Sequence, residues 1–235
     1  MQVSLGDLNL ATGTNTSSMP ASPVRYPPPP ANATLAQLHD YERGRWNHFL
    51  LDPTWRRTRF NTQPNTLLVE TVRHYPAGAA LDVNMGEGRN ALYLAQQGWQ
   101  VTGVDFADQA LAFAQQRARH LGVSLTTVEQ DLHIYEWGTN YWDLLVLCYA
   151  DDSAHVDRVH AALKPGGLLV LENFHADINL AWGRQLGRDV GFATDELRNV
   201  YAAAGFRIIR YEEPVGVADF TQETHRLVKL VAQKC

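Results

Sequence analysis

The chain has 235 residues, 45% of them apolar and 19% charged, with a formal net charge of −5 at pH 7. That length suits one domain with an appendage and an ample core. No apolar run approaches the roughly 18–20 residues that span a bilayer, so no membrane segment is expected. The first residues also lack the basic start and apolar stretch of a secretory signal. Two cysteines, Cys148 inside an apolar run and Cys235, make neither a disulfide framework nor a metal cluster, which points to a reducing cytoplasm. The single basic cluster, Trp55-Arg56-Arg57-Thr58-Arg59, is too small an electrostatic footprint for a nucleic-acid partner.

Residues 1–33 are rich in Ser, Thr, Asn, Ala and Pro and end near Pro27-Pro28-Pro29-Pro30. Such a segment buries too little apolar surface to offset its ordering entropy. It reads as a flexible arm, stiff only at the prolines, lying along the domain or along a second subunit of a homodimer. Residues 34–77 read as a helical lid. One helix runs from a Thr34 cap to about Phe49, on the pattern Leu35, Leu38, Tyr41, Trp46, Phe49. A second runs from Asn65 to His74, stopped by Pro76 and Gly78. From residue 78 to 235, short apolar runs alternate with helical patterns. Strands are expected at Ala79–Asn84, Gln100–Asp105, Ser124–Glu129, Tyr141–Tyr149 and Gly167–Asn173. Helices are expected at Asn90–Gln97, Gln109–Leu121, Ser153–Leu163 and Thr194–Ala204, the last capped by Thr194. Two closing strands, Phe206–Glu212 and Arg226–Gln233, have no helix between them and read as an antiparallel hairpin. The fold class is therefore α/β, a doubly wound Rossmann-like sheet of seven mostly parallel strands with helices on both faces.

In such a sheet, ligands sit beyond the carboxyl ends of the strands. The first strand ends Asp82-Val83-Asn84-Met85-Gly86-Glu87-Gly88, where two glycines permit a sharp turn and close backbone approach. The next helix would start with its N-terminus at the ligand. The second strand ends at Asp105, 23 residues beyond Asp82, a distance suited to an acceptor for ribose hydroxyls. Gly86-Glu87-Gly88-Arg89-Asn90-Ala91 formally fits the dinucleotide pattern, so an NAD(P)-dependent oxidoreductase is one alternative. Asp82 weighs against it. A carboxylate there repels a pyrophosphate but suits the cationic amino group of a methionyl moiety, which favours S-adenosylmethionine.

"LDVNMGEGRNALYLAQQGWQVTGVDFADQAL", "YWDLLVLCY" and "LKPGGLLVLENF" resemble the successive motifs of class I S-adenosylmethionine-dependent methyltransferases. They are most similar to small bacterial enzymes of the tellurite-resistance and thiol-methyltransferase type. The tail, "GFATDELRNVYAAAGFRIIRYEEPVGVADFTQETHRLVKLVAQK", is similar to that group's closing helix and hairpin. The resemblance covers about residues 65–234. It implies a methyl donor, S-adenosylmethionine, leaving as S-adenosylhomocysteine, and roles that carry over by position. Asp82 and the Met85–Gly88 backbone would hold the methionine end. Arg89 and Asn90 would help to fix its carboxylate. Asp105 would pair with the ribose, and Phe106 would pack on the adenine face. Asp131 and Leu132 would meet the adenine edge, and Cys148 and Tyr149 would line the floor near the sulfonium. Asn84 departs from the family's usual glycine. Asn is the non-glycine residue that best tolerates left-handed backbone, so the turn can keep its shape, with the side chain directed to the cofactor carboxylate.

Methyl transfer asks the protein to align the acceptor, exclude water and, for an N or O acceptor, remove a proton. The candidates on the acceptor side are His175, Tyr149 and Asp151, with His133 and Glu172 behind them. Each also has a plainer reading: His133 and Asp151 as local caps, Tyr149 as a wall. Trp46, Phe49, Trp55, Phe60 and Trp182 would either lid an apolar acceptor or simply fill the core. Arg56, Arg57 and Arg59 read as a solvated turn, or else as a grip on an anionic substrate. Asp151 with Glu172-Asn173 is reminiscent of metal-dependent catechol-type relatives, but a glutamate after "LLVL" is widespread in metal-free ones, so no metal is expected. The expected partner is a small-molecule acceptor with an S, N or O nucleophile. A non-catalytic S-adenosylmethionine-binding protein is the other alternative.

Overall fold

A computed structural model describes residues 26–29, 32–132, 134–150, 155–180 and 190–235. Most of the proline-rich arm, and with it His133, Asp151 and Trp182, lies outside them. The helices are α1 (Leu35–Leu50), α2 (Pro53–Arg59), α3 (Thr66–Val72), α4 (Arg89–Gln96), α5 (Asp108–Leu121), α6 (Val156–Ala162) and α7 (Glu196–Ala203). The strands are β1 (Ala79–Val83), β2 (Gln100–Asp105), β3 (Thr126–Glu129), β4 (Trp142–Cys148), β5 (Leu163–Phe174), β6 (Phe206–Glu212), β7 (Val215–Val217) and β8 (Thr224–Lys234).

The sheet runs β3-β2-β1-β4-β5-β8-β6. Its first five strands are parallel to one another, while β8 pairs antiparallel with both β5 and β6. This is the α/β, Rossmann-like arrangement expected, with one strand more than the seven anticipated. Because β8 is 11 residues long, its first half has room for Val215–Val217 to pair with Thr224–Arg226. Three residues with exposed valines, Val215 and Val217, left too faint a pattern to mark a strand beforehand.

The central strands are buried on both faces, so β4 and β5 read as continuous apolar runs rather than alternating ones. The period of two then sorts their side chains. Leu145, Leu147, Leu169 and Leu171 pack towards α6 and α7, with Val159, Leu197 and Tyr201. Leu144, Val146, Leu168 and Val170 pack towards α3, α4 and α5, with Leu68, Leu94 and Ala114. Helix α3 therefore belongs to the sheet's own core, and the expected 34–77 lid does not hang together as one unit. Only α1 and α2 stand apart from that core. They dock on α5 through Leu50, Ala107 and Ala110, and Asn47 of α1 accepts the Gln109 N–H at 3.2 Å. Helix α5 has no side-chain cap of its own, so a distant helix supplies one. Thr34 and Gln37 form the reciprocal capping box that starts α1. Tyr26, at the described end of the arm, lies on α1 against Tyr41 and His48.

Lys234 closes the sheet's far end. Its buried ammonium donates to Asn140 Oδ1 at 2.8 Å and to the carbonyls of His160 and Leu163 at 2.6 and 2.8 Å, satisfying the end of α6. Lys234→Met would strand these acceptors, at about 1–3 kcal/mol for each group left buried and unpaired. For a chain of this size the melting temperature should then drop by roughly 5–10 °C, measurable by calorimetry. A change under about 1 °C would show that this lysine is dispensable.

Candidate active site

The carboxyl end of β1 leads into a turn with three left-handed residues: Asn84 at φ 52°, Gly86 at 56° and Gly88 at 75°. Asn84 thus adopts the backbone its residue type tolerates best. Two buried carboxylates hold this turn. Asp82 accepts the Ala91 N–H at 3.0 Å, at the first turn of α4. Asp105 accepts Gly86 N–H through one oxygen and Ala107 N–H through the other, both at 2.9 Å. Burial pushes the Asp82 carboxyl up to about 7, against the pull of Arg89. Burial likewise raises Asp105, opposed by its backbone N–H groups.

Two cavities meet at this turn, sharing Asn84 and Phe106 as a common wall. The smaller, about 440 Å³, holds Asp131, Leu132, His155 and, from α1, His39 and Arg43. His39 Nδ1 is 2.8 Å from the Asp131 carboxylate, a contact between α1 and the loop after β3 that no sequence pattern announced. The larger, about 980 Å³, begins at Asp82, Asn84, Met85 and Arg89. It passes Cys148 and Tyr149 and continues between Trp46, Phe49, Trp55, Phe60, Phe174 and Phe220. Phe49 stacks on Trp55 with centroids 5.0 Å apart, and the other pairs are edge-on or tilted, Phe60 and Phe220 with centroids 5.4 Å apart. Of the expected lid aromatics, the four described ones do line a cavity instead of vanishing into the core.

Several expectations are corrected here. His175 is buried and absent from the cavity lining. Its Nδ1 accepts from Asp177 N–H at 3.1 Å and its Nε2 lies 3.1 Å from Thr194 Oγ1, so the ring fastens a local turn. Thr194 is correspondingly not the cap of α7; that position is Asp195, whose side chain makes no capping bond. Tyr149 does face the cavity, but its hydroxyl donates to Glu172 at 2.7 Å and accepts from Asp219 N–H at 3.0 Å. Burial and the neighbouring Glu172 push that phenol far up, so its proton stays on the bond to Glu172. Burial also raises the Cys148 thiol. Glu172 is engaged on its other oxygen by Lys229 at 2.9 Å. Asp105 lines neither cavity; its visible work is to shape the turn.

The WRRTR segment is no solvated turn. It is helix α2, started by Asp52. Arg56 grips Glu87 of the glycine turn at 2.6 and 2.7 Å and lies 3.7 Å over the Phe113 ring. Arg59 is buried, 3.5 Å from Glu223. Arg89, at the head of α4, donates to Asp219 at 2.7 Å, and Asn90 Oδ1 accepts Asn65 N–H at 2.8 Å. Burial pushes the Asp219 carboxyl up, but Arg89 and the amides of Asn61 and Asn65 outweigh it and hold the group below its ordinary range. Neither Glu87 nor Asp219 was singled out in the sequence, since their partners lie far away along the chain.

Residues 80–167 match the family model described as a methyltransferase domain. Over that stretch the chain is similar to methyltransferase domains. A relative from Geobacillus sp. (strain WCH70), named as a methyltransferase, is 31% identical over 100 residues, 39% of this chain and 40% of its own. TehB of Haemophilus influenzae (strain 10810), named a probable S-adenosyl-L-methionine-dependent methyltransferase, is 26% identical over 159 residues, 64% of this chain and 53% of its own. The chain thus spans between two fifths and about half of the length of these relatives. The crystal structure of TehB from Haemophilus influenzae superposes with a TM-score of 0.60 at 19% identity, covering 72% of this chain and 61% of that one. The fold is therefore that of the TehB structure, and the chain is similar in sequence to proteins named as S-adenosyl-L-methionine-dependent methyltransferases. Among the described residues no helix is long and apolar enough to cross a membrane.

The methyltransferase turn offers a direct check. Asn84→Gly should leave S-adenosylhomocysteine affinity within about twofold, whereas Asn84→Val should lower it roughly tenfold, because left-handed backbone costs a β-branched residue about 1–2 kcal/mol. Equal calorimetric affinities for the two variants would show that the left-handed conformation at this position is immaterial.

Proposed function

We propose that this methyltransferase transfers its methyl group to a small, largely apolar acceptor bearing an S, N or O nucleophile. The observation that carries the reading is the aromatic chamber opening directly from the glycine turn, lined by Trp46, Phe49, Trp55, Phe60 and Phe220. Bound S-adenosylmethionine supplies an electrophilic methyl on a sulfonium. The paired cavities suit its two ends. Asp131, Leu132 and Phe106 would take the adenine, and Asp82, Asn84 and Arg89 the amino-acid moiety. Asp105, buried behind the turn, would act on the ribose end through the Gly86 and Ala107 backbone that it holds. Helices α1 and α2 would be the lid.

On the acceptor side, the carboxylates and phenol described above are already engaged: Asp219 by Arg89, Glu87 by Arg56, Tyr149 by Glu172. The rate then comes mainly from aligning the nucleophile and excluding water, which together can supply a large share of a barrier. A thiolate or a neutral nitrogen lone pair meets that requirement most easily. The free thiols of Cys148 and Cys235 fit a cytoplasmic location. The test is methyl transfer from labelled S-adenosylmethionine to a panel of thiols, phenols, amines and azoles, with product identified by mass. Labelled product from any apolar member supports the reading. Tight S-adenosylhomocysteine binding without transfer to any of them would favour a non-catalytic role.

A further inference from the structure

The chamber's outer wall is built from two segments remote in sequence. Asn61 N–H donates to the Asp219 carbonyl at 2.9 Å, and Thr221 N–H to the Arg59 carbonyl at 2.8 Å. Phe60 and Phe220 face each other across this isolated bridge. Gln222 Nε2 adds bonds to the Arg57 and Phe60 carbonyls at 3.0 and 3.1 Å. The result is a strap joining the end of α2 to the turn between β7 and β8. It is bought with strained backbone: Gln222 sits at φ 56° and Thr221 at φ 80°, the latter a conformation that a β-branched residue adopts only when its surroundings impose it.

One side chain joins this strap to the cofactor turn. The Asp219 carboxylate accepts from Asn61 Nδ2 at 2.8 Å, from Asn65 Nδ2 at 2.8 Å and from Arg89 Nη1 at 2.7 Å. Its backbone N–H reaches the Tyr149 hydroxyl at the end of β4. Arg89 Nη1 also donates to the Gln63 carbonyl at 3.0 Å. A guanidinium has five N–H donors in a rigid fork. Asp219 and Gln63 both take the Nη1 end, which sets the plane in which the remaining donors are presented to the cavity.

We propose that Asp219 is a positioning residue that makes the cofactor turn and the acceptor chamber one thermodynamic unit. It orients Arg89 towards the cofactor's carboxylate while locking the strap that closes the chamber. Filling the cofactor site then stiffens the chamber wall, and loosening the wall weakens cofactor binding by the same factor, as linkage requires. This rests on the methyltransferase reading above.

The full-length chain tests it, with S-adenosylhomocysteine as the probe, by calorimetry and amide hydrogen exchange. In the wild type, saturating probe should slow exchange of the amides of Asn61, Asp219 and Thr221. Asp219→Asn should weaken the probe about tenfold, the loss of one charge-assisted contact, and abolish the protection even at saturation. Asn61→Ala should weaken the probe about threefold through the same carboxylate, although position 61 is separated from the turn by Asp219. The double variant should bind no worse than Asp219→Asn alone. If Asp219→Asn does not fold, Asn61→Ala decides the matter. Unchanged probe affinity in Asn61→Ala, or additive losses in the double variant, would overturn the coupling. Failure of the wild type to bind the probe would instead sink the cofactor assignment.

Discussion

Asp82→Asn should raise the melting temperature of the cofactor-free protein at pH 8 while weakening S-adenosylhomocysteine on the order of 100-fold, the loss of a buried charge-assisted contact. The two effects have one cause. Burial lifts the Asp82 carboxyl to about 7, so the folded chain holds a proton that the unfolded chain, with its ordinary carboxyl, releases near pH 4. A raised folded-state value means stability is fully present at low pH and is lost as pH climbs through about 7. At pH 8 the ionised, buried carboxylate costs the fold at most on the order of 4 kcal/mol. Asparagine removes that cost and still offers Oδ1 to the Ala91 N–H, but it lacks the charge that a cationic amino group requires. The wild type should accordingly bind the probe more tightly as pH rises towards 7, and the variant should lose this trend. Thermal melts and titrations at pH 5.5 and 8 check both halves. A variant destabilised at pH 8, or one that binds as well as the wild type, would refute the assignment of Asp82.

Gly103→Ala should disable the turn from behind. Gly103 sits in β2 directly beside Asp82 in register, and a Cβ there would fall 1.8 Å from Met85 Sδ and 3.0 Å from its Cγ. Met85 is buried within the turn itself, so relieving the overlap moves the residue between Asn84 and Gly86. Overpacking of this kind costs about 1–3 kcal/mol, which should appear as a roughly 10–100-fold loss of S-adenosylhomocysteine affinity. Shortening the opposing side chain should repair it: the Met85→Ala, Gly103→Ala pair is expected to recover most of the binding lost by Gly103→Ala alone. A double variant no better than the single one would mean that the alanine methyl acts on the strand rather than on the turn.

The turn after β1 was legible in advance because it depends on neighbours in the chain. The apolar runs ending at Asp82 and Asp105, the glycines at 86 and 88 and the left-handed Asn84 are local facts of covalent geometry and burial. Strand and helix positions followed for the same reason, with Gln100–Asp105 and Phe206–Glu212 found where periodicity put them. The acceptor side was not legible. His175 stands at a strand end, yet its ring turns to Thr194 and Asp177, an orientation that no spacing encodes. Arg56 and Arg59 read as a solvated turn, and Asp219 did not stand out, because their partners Glu87, Glu223 and Arg89 are 31, 164 and 130 residues away.

The order of apolar runs, turns and acids along the chain was sufficient to determine a Rossmann-like sheet and the glycine turn at the carboxyl end of its first strand, since period and glycine backbone act within a few residues. Which aromatics line the larger cavity, which carboxylates are already engaged, and how Asp219 contacts both Asn61 and Arg89 were decided only by tertiary structure. Those outcomes depend on the packing of α1, α2 and the β7–β8 turn over the sheet, where contacts between distant residues set direction, burial and charge.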